Sequence, residues 1–120
     1  MPFTPILYQQ RRIGKESERK LHSAIDGWSE KRKSAANILF VEKGSFEDDH
    51  DGIDFWVHTT NGIIPLQVKS SERRATNFSL VHPKIPVIVI GLTDRIDTVR
   101  EKITKLNLSE KAKTNVILPR

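Results

Sequence analysis

Gly52-Ile53-Asp54-Phe55-Trp56-Val57, then Asn61-Gly62, then Pro65-Leu66-Gln67-Val68-Lys69-Ser70, is the stretch whose reading decides the fold. Two apolar runs flank an Asn-Gly pair. That is the strongest short-range hairpin signal, because a tight hairpin turn needs positive φ at both central residues. Two placements of the turn are open: Asn61-Gly62 as a two-residue turn, or Thr60 to Ile63 as a four-residue loop. The second is preferred, since the first sets Pro65, which has no N–H, at a hydrogen-bonded position opposite His58. Both placements make Thr60 face Ile63, Val57 face Leu66 and Asp54 face Lys69. Strand side chains alternate between faces. Ile53, Phe55, Val57, Ile64, Leu66 and Val68 therefore share a wholly apolar face that must be core. Asp54, Trp56, His58, Pro65, Gln67 and Lys69 share the other. A carboxylate, an amide oxygen and an amine converging on one sheet face can hold a divalent cation and an activated water, which is equipment for cutting a phosphodiester.

Outward from the hairpin, the chain alternates helical and extended patterns. Residues 1 to 12 read as an irregular arm. Leu21, Ala24, Ile25 and Trp28 recur at helical spacing and predict a helix over Gly14 to Lys33. The run Lys31-Arg32-Lys33 suits the negative end of that helix and needs no ligand to explain it. Ile38 to Val41 is a short strand, and Lys43 to Asp51 a polar loop whose acids and His50 read as a solvated turn. Ser70 to Pro83 is polar and basic, a short helix with loops. Pro86 to Gly91 is a continuous β-branched run of the kind buried on both faces of a sheet. Ile96, Val99, Ile103 and Leu106 mark a second amphipathic helix over Asp94 to Leu106, and Asn115 to Leu118 reads as a closing strand. The order predicts one domain, residues 1 to 120, of α/β class with a mixed central sheet flanked by helices.

The chain has 120 residues, no cysteine and a formal net charge of +5. Without cysteine there are no disulfides or thiolate metal sites, and a reducing cytoplasmic location is the expectation. No apolar run approaches the about 18 residues of a membrane span, and Met-Pro-Phe-Thr-Pro lacks a signal-peptide pattern. The charge is unevenly spread. Residues 42 to 54 hold six carboxylates against Lys43 alone, a net of −5, which leaves +10 on the rest. A basic body around one acidic spot suits a polyanion with a cation held at the site.

Asp54, twelve residues, then Gln67-Val68-Lys69, set in this element order, resembles the PD-(D/E)XK nuclease superfamily and its restriction-endonuclease-like αβββαβ core. Gly14-Lys15-Glu16-Ser17-Glu18-Arg19-Lys20-Leu21 is similar to the helix that opens archaeal-type Holliday junction resolvases. The resemblance covers about the first ninety residues. It implies a Mg2+-dependent deoxyribonuclease, with Mn2+ as a substitute ion, acting on DNA and in particular on branched DNA. It implies Asp54, Gln67 and Glu18 as metal ligands, with a carbonyl oxygen from Val68, and Lys69 as the residue that orients the attacking water. Glu16, about 200° round the helix from Glu18, is the rival helix carboxylate. Gln67 stands where a carboxylate is commoner; Gln-x-Lys variants occur among Mrr-like restriction endonucleases. Arg73, Arg74 and Lys84 follow the motif and are candidates for the phosphate path. By analogy alone, a homodimer is admitted. Two alternatives stay open: a nuclease-like domain that binds DNA without cutting it, and a protein-interaction module with a coincidental motif. No Gly-rich phosphate loop or zinc motif supports a nucleotide or zinc enzyme.

Overall fold

The computed structural model describes the backbone of residues 5–114 and the side chains of residues 14–114 apart from that of Asp49. Its elements are α1 (Pro5–Asp26), α2 (Glu30–Ala35), β1 (Ile38–Lys43), α3 (Phe46–His50), β2 (Phe55–Thr59), β3 (Gly62–Lys69), α4 (Glu72–Val81), β4 (Val87–Val89), α5 (Ile96–Leu106) and α6 (Leu108–Thr114). The sheet runs β1-β2-β3-β4. The first three strands are antiparallel, and β4 is parallel to β3. This is a mixed α/β fold with a four-stranded mixed sheet flanked by helices. Among the described residues no helix is long and apolar enough to cross a membrane.

The core lies on one face of the sheet. Leu21, Ala24 and Ile25 of α1 and Trp28 in the link to α2 meet Val99 and Ile103 of α5 and Leu108 of α6 over Phe55, Val57, Ile64, Leu66 and Val68. Five of the six strand residues that the alternation predicts to be core are there; the sixth, Ile53, precedes β2, is half-buried and is not part of the core. The opposite face is covered in part by α4, which packs on β3 and β4 and buries Ala75. Hence β4 is fully covered at Ile88 and only half covered at Val87 and Val89.

Several expectations are corrected. The arm over residues 1 to 12 is helical from Pro5 onward. The helix expected over 14 to 33 is two helices. α1 ends at Asp26, where the Arg100 Nε of α5 donates to the Ala24 carbonyl at 2.9 Å. Ser29 then caps α2 by accepting the Arg32 N–H at 3.2 Å. The polar loop after Lys43 contains α3, and α6 follows α5 where no element was expected. The strand expected at Asn115 to Leu118 lies outside the described residues.

The hairpin register also differs. Thr59 pairs with Gly62, Val57 with Ile64 and Phe55 with Leu66, so the turn is Thr60-Asn61. This moves Pro65 opposite Trp56, between the hydrogen-bonded pairs, and removes its missing N–H as a difficulty. Gly62 carries the positive φ (131°) that Asn61 was expected to share. Asn61 is instead a tether: its Nδ2 donates to the Ser109 Oγ of α6 at 2.8 Å. The slip is two residues, an even number, so Phe55, Val57, Ile64, Leu66 and Val68 keep their core-facing side.

Beyond β4 a polar knot ties the chain together. The Lys20 Nζ donates to the carbonyls of Gly91 and Asp94 at 3.1 and 3.0 Å, and also to that of Leu92. The Ser17 Oγ donates to the Ile90 carbonyl at 2.7 Å. Asp94 accepts from the Lys102 Nζ at 2.7 Å and from the Gly91 N–H at 2.9 Å. The Lys102 hydrogen bond foremost, and then that of Gly91, holds the Asp94 carboxyl below its ordinary range. The knot joins α1, β4 and α5 at one end of the sheet.

Candidate functional site

At the start of β2 the strand leaves β3. β3 pairs with β2 as far as Leu66, and from Gln67 onward it pairs with β4. Asp54 occupies the point of parting. Its N–H donates to the Leu66 carbonyl at 3.1 Å, and its carboxylate reaches on to accept the Val68 N–H at 2.9 Å. The carboxylate thus serves a strand N–H that β2 no longer covers. Asp54 is only 5% exposed. The expectation that it faces Lys69 is therefore wrong. Its backbone sits against Leu66, because the turn lies one residue earlier than the Asn-Gly signal suggests.

Gly44 makes this approach possible. The chain between β1 and β2 passes so near that the Gly44 N–H donates to the Asp54 carbonyl at 2.8 Å. A Cβ at Gly44 would lie 2.6 Å from the Ile53 carbonyl oxygen.

Asp54 opens into a cleft of about 610 Å³. Its walls include Lys15, Glu18 and Arg19 of α1, Lys43 at the end of β1, and Phe46 at the start of α3. Glu18 is therefore the helix carboxylate that shares a cleft with Asp54, where it accepts from the Lys43 Nζ at 3.2 Å. Glu16 pairs with Arg19 instead, at 3.1 Å. Among the described residues neither Gln67 nor Lys69 lines this cleft.

Gln67 and Lys69 lie on the α4 side of β3. Gln67 is 7% exposed, and among the described residues its buried Oε1 has no hydrogen-bond donor. A buried amide oxygen normally has a partner, and leaving one unpaired costs about 1–3 kcal/mol. The Lys69 Nζ stands over the Phe78 ring of α4, 5.1 Å from its centroid. Phe78 in turn packs on Gly52, whose φ is +87° and where a Cβ would come within 2.9 Å of the ring. Gly52 thus sets Phe78, and Phe78 sets the Lys69 amine. Val68, between the two, turns its N–H to Asp54, and its carbonyl leaves the strand on that same edge.

Arg73 and Arg74 are exposed in the first turn of α4 rather than on a loop, because Ser71 caps that helix by accepting the Arg74 N–H at 3.3 Å. Lys84 is exposed just beyond α4. His58, expected on the site face, is occupied with Glu42 at 2.9 Å and stacks on Phe40.

Phe46, Lys15, Arg19 and Lys43 are site residues that the reading of the sequence missed. Two signals pointed to them. Lys15, Glu18, Arg19 and His22 recur at i, i+3, i+4 and i+7, one face of a helix. Ser45-x-x-Asp48 is a reciprocal cap: the Ser45 N–H donates to the Asp48 Oδ2 at 2.9 Å, and the Asp48 N–H donates to the Ser45 Oγ at 3.1 Å. Comparison of the chain with protein-family profiles, with curated proteins and with solved structures finds no match.

Proposed function

We infer that the chain is a Mg2+-dependent DNA nuclease of the restriction-endonuclease-like type, with Mn2+ able to replace the ion. The observation that carries this reading is the buried Gln67 Oε1 without a donor, one residue from the backbone N–H that holds the Asp54 carboxylate. Without the short helices α2 and α3, the described elements through β4 run α-β-β-β-α-β, the order this reading requires.

The donors fit a hard cation. Mg2+ takes oxygen ligands. Asp54 offers a carboxylate, Gln67 an oxygen that lacks a partner, Glu18 a second carboxylate in the Asp54 cleft, and Val68 a carbonyl on the Asp54 edge. When bound, the cation supplies Lewis acidity toward the phosphodiester and offsets charge at the scissile phosphate. The chain's own residues do the rest. The Val68 N–H fixes the Asp54 carboxylate in direction. Lys69 has no ion-pair partner among the described residues, and its amine offers a positive charge and a donor to the attacking water. Arg73, Arg74 and Lys84 bind the DNA backbone.

One observation favours a second reading, in which the domain binds DNA without cutting it. Gln67 and Lys69 do not line the cleft that Asp54 and Glu18 share. The two readings separate in one experiment: cleavage of junction, duplex and single-stranded DNA across a Mg2+ and Mn2+ titration. Cutting of any form that requires the metal supports the nuclease. DNA binding without cutting in either metal rejects it in favour of the binding domain.

A further inference from the structure

We propose that Phe46 is a stacking platform for an unpaired DNA base, so that the substrate carries a base out of the duplex stack beside the phosphate it presents to the site. This rests on the DNA reading above. Phe46 is 87% exposed, the most open of the large apolar side chains among the described residues. The backbone that carries it is anchored. Asp48 accepts from the Ser45 N–H and from the Trp56 Nε1, the latter at 3.0 Å, and the Asp48 carbonyl accepts the Ile53 N–H at 2.8 Å. Two of these bonds tie α3 to the base of β2 and the third closes the first turn of α3 itself, which sets Phe46 on the wall of the Asp54 cleft rather than in the core. A single exposed apolar side chain needs no explanation on an arbitrary surface. Here it shares one cleft with the cations Lys15, Arg19 and Lys43 and the carboxylates Glu18 and Asp54.

An aromatic face beside a row of cations is the arrangement that takes single-stranded nucleic acid: phosphates go to the cations and a base lies on the ring. The geometry selects the substrate. Inside a continuous duplex both faces of each base are covered by neighbours, and only the edges can be reached. Away from the ends of a duplex, Phe46 can engage only a base that has left the stack, as in a bulge, a flap or a single-stranded end.

The test measures binding in EDTA, so that nothing is cut. The probes are a continuous duplex and the same duplex with one bulged 2-aminopurine. Wild type should bind the bulged DNA about tenfold more tightly and quench the 2-aminopurine fluorescence, as expected for one base stacked on an aromatic ring. Phe46→Ala should bring the ratio of the two affinities to about one and abolish the quench, and Phe46→Trp should restore both. Duplex binding with no preference for the bulge, or a preference and quench that survive Phe46→Ala, overturns the stacking platform alone. Absence of binding to either DNA at low salt overturns the DNA reading along with it.

Discussion

Gln67 has a side chain that the metal-free sheet gains little by burying, and its chemistry is testable apart from any cleavage. Among the described residues its Oε1 has no donor, so an apolar side chain of similar length relieves a cost. Gln67→Met should raise stability by about 1 kcal/mol in urea unfolding with EDTA present. The same variant should lose the stabilisation that added Mg2+ gives to wild type, since binding to the folded state alone raises its stability. A Gln67→Met protein less stable than wild type in EDTA would mean that the amide has a structural partner. Glu18→Gln should weaken Mg2+ stabilisation more than Glu16→Gln, because only Glu18 shares the Asp54 cleft. Equal effects would remove the helix from the site. Asp54, Gln67, Lys69 and Glu18 stand out in the sequence as candidates, whereas Phe46, Lys15, Arg19 and Lys43 of the Asp54 cleft do not. The burial of Gln67 was not legible. The alternation of side chains places Gln67 on the non-core face, and only α4 lying over that face makes it buried.

At the scale of elements, the hairpin shows how a strong local signal can misplace a register. Asn61-Gly62 is the signal on which both sequence placements of the turn are centred, including the preferred Thr60 to Ile63 loop, but the Asn61 amide is bonded to Ser109 some fifty residues on, a partner that no local rule supplies. The Pro65 difficulty already visible in the sequence was the better guide. It weighs against a turn at Asn61-Gly62, but the preferred four-residue loop from Thr60 to Ile63 is wrong as well; the observed turn at Thr60-Asn61 resolves the difficulty. The knot after β4 was not legible either, since Lys20, Asp94 and Lys102 become neighbours only when α1 and α5 pack together. It carries a pH dependence. The Asp94 carboxyl is held below its ordinary value of 3.8, chiefly by Lys102. Its contribution is therefore complete above about pH 3.8 and is lost as the pH falls through the lower folded value. Asp94→Asn should cost about 1 kcal/mol at pH 7, a figure kept small because the Lys102 side chain is 36% exposed. The gap between wild type and variant in thermal unfolding should narrow below pH 3.8. A gap that stays constant to about pH 2 would show that the ion pair contributes nothing.

For the molecule as a whole, charge distribution and topology point the same way. Six carboxylates fall within residues 42 to 54 of a chain that is otherwise strongly basic, and Asp54 at the end of that run opens into a cleft walled by Lys15, Arg19 and Lys43. The phosphate path over α4 predicts a salt effect. Alanine at Arg73, Arg74 and Lys84 together should weaken binding to all DNA sequences alike and reduce the salt slope by up to about three, roughly one for each phosphate that no longer meets a cation. An unchanged slope would move the path to Lys15 and Arg19 on α1. The α/β class and the order of the major elements were legible from periodicity, because long apolar repeats dominate α1, α5 and the central strands. The short helices α3 and α6 were not, because polar caps and tertiary packing rather than apolar repeats define them.

Whether Asp54 serves a metal-dependent cleavage of DNA is decided by Asp54→Asn. The asparagine amide oxygen can still accept the Val68 N–H, so the fold should persist with a melting temperature within a few degrees of wild type. Cleavage of junction, duplex and single-stranded DNA is compared for the two proteins over a Mg2+ titration. If Asp54 holds the catalytic metal, wild type cuts only when Mg2+ is present and the folded Asp54→Asn protein does not cut at all. Equal cutting by both proteins, or none by wild type at any Mg2+ concentration, would refute that role.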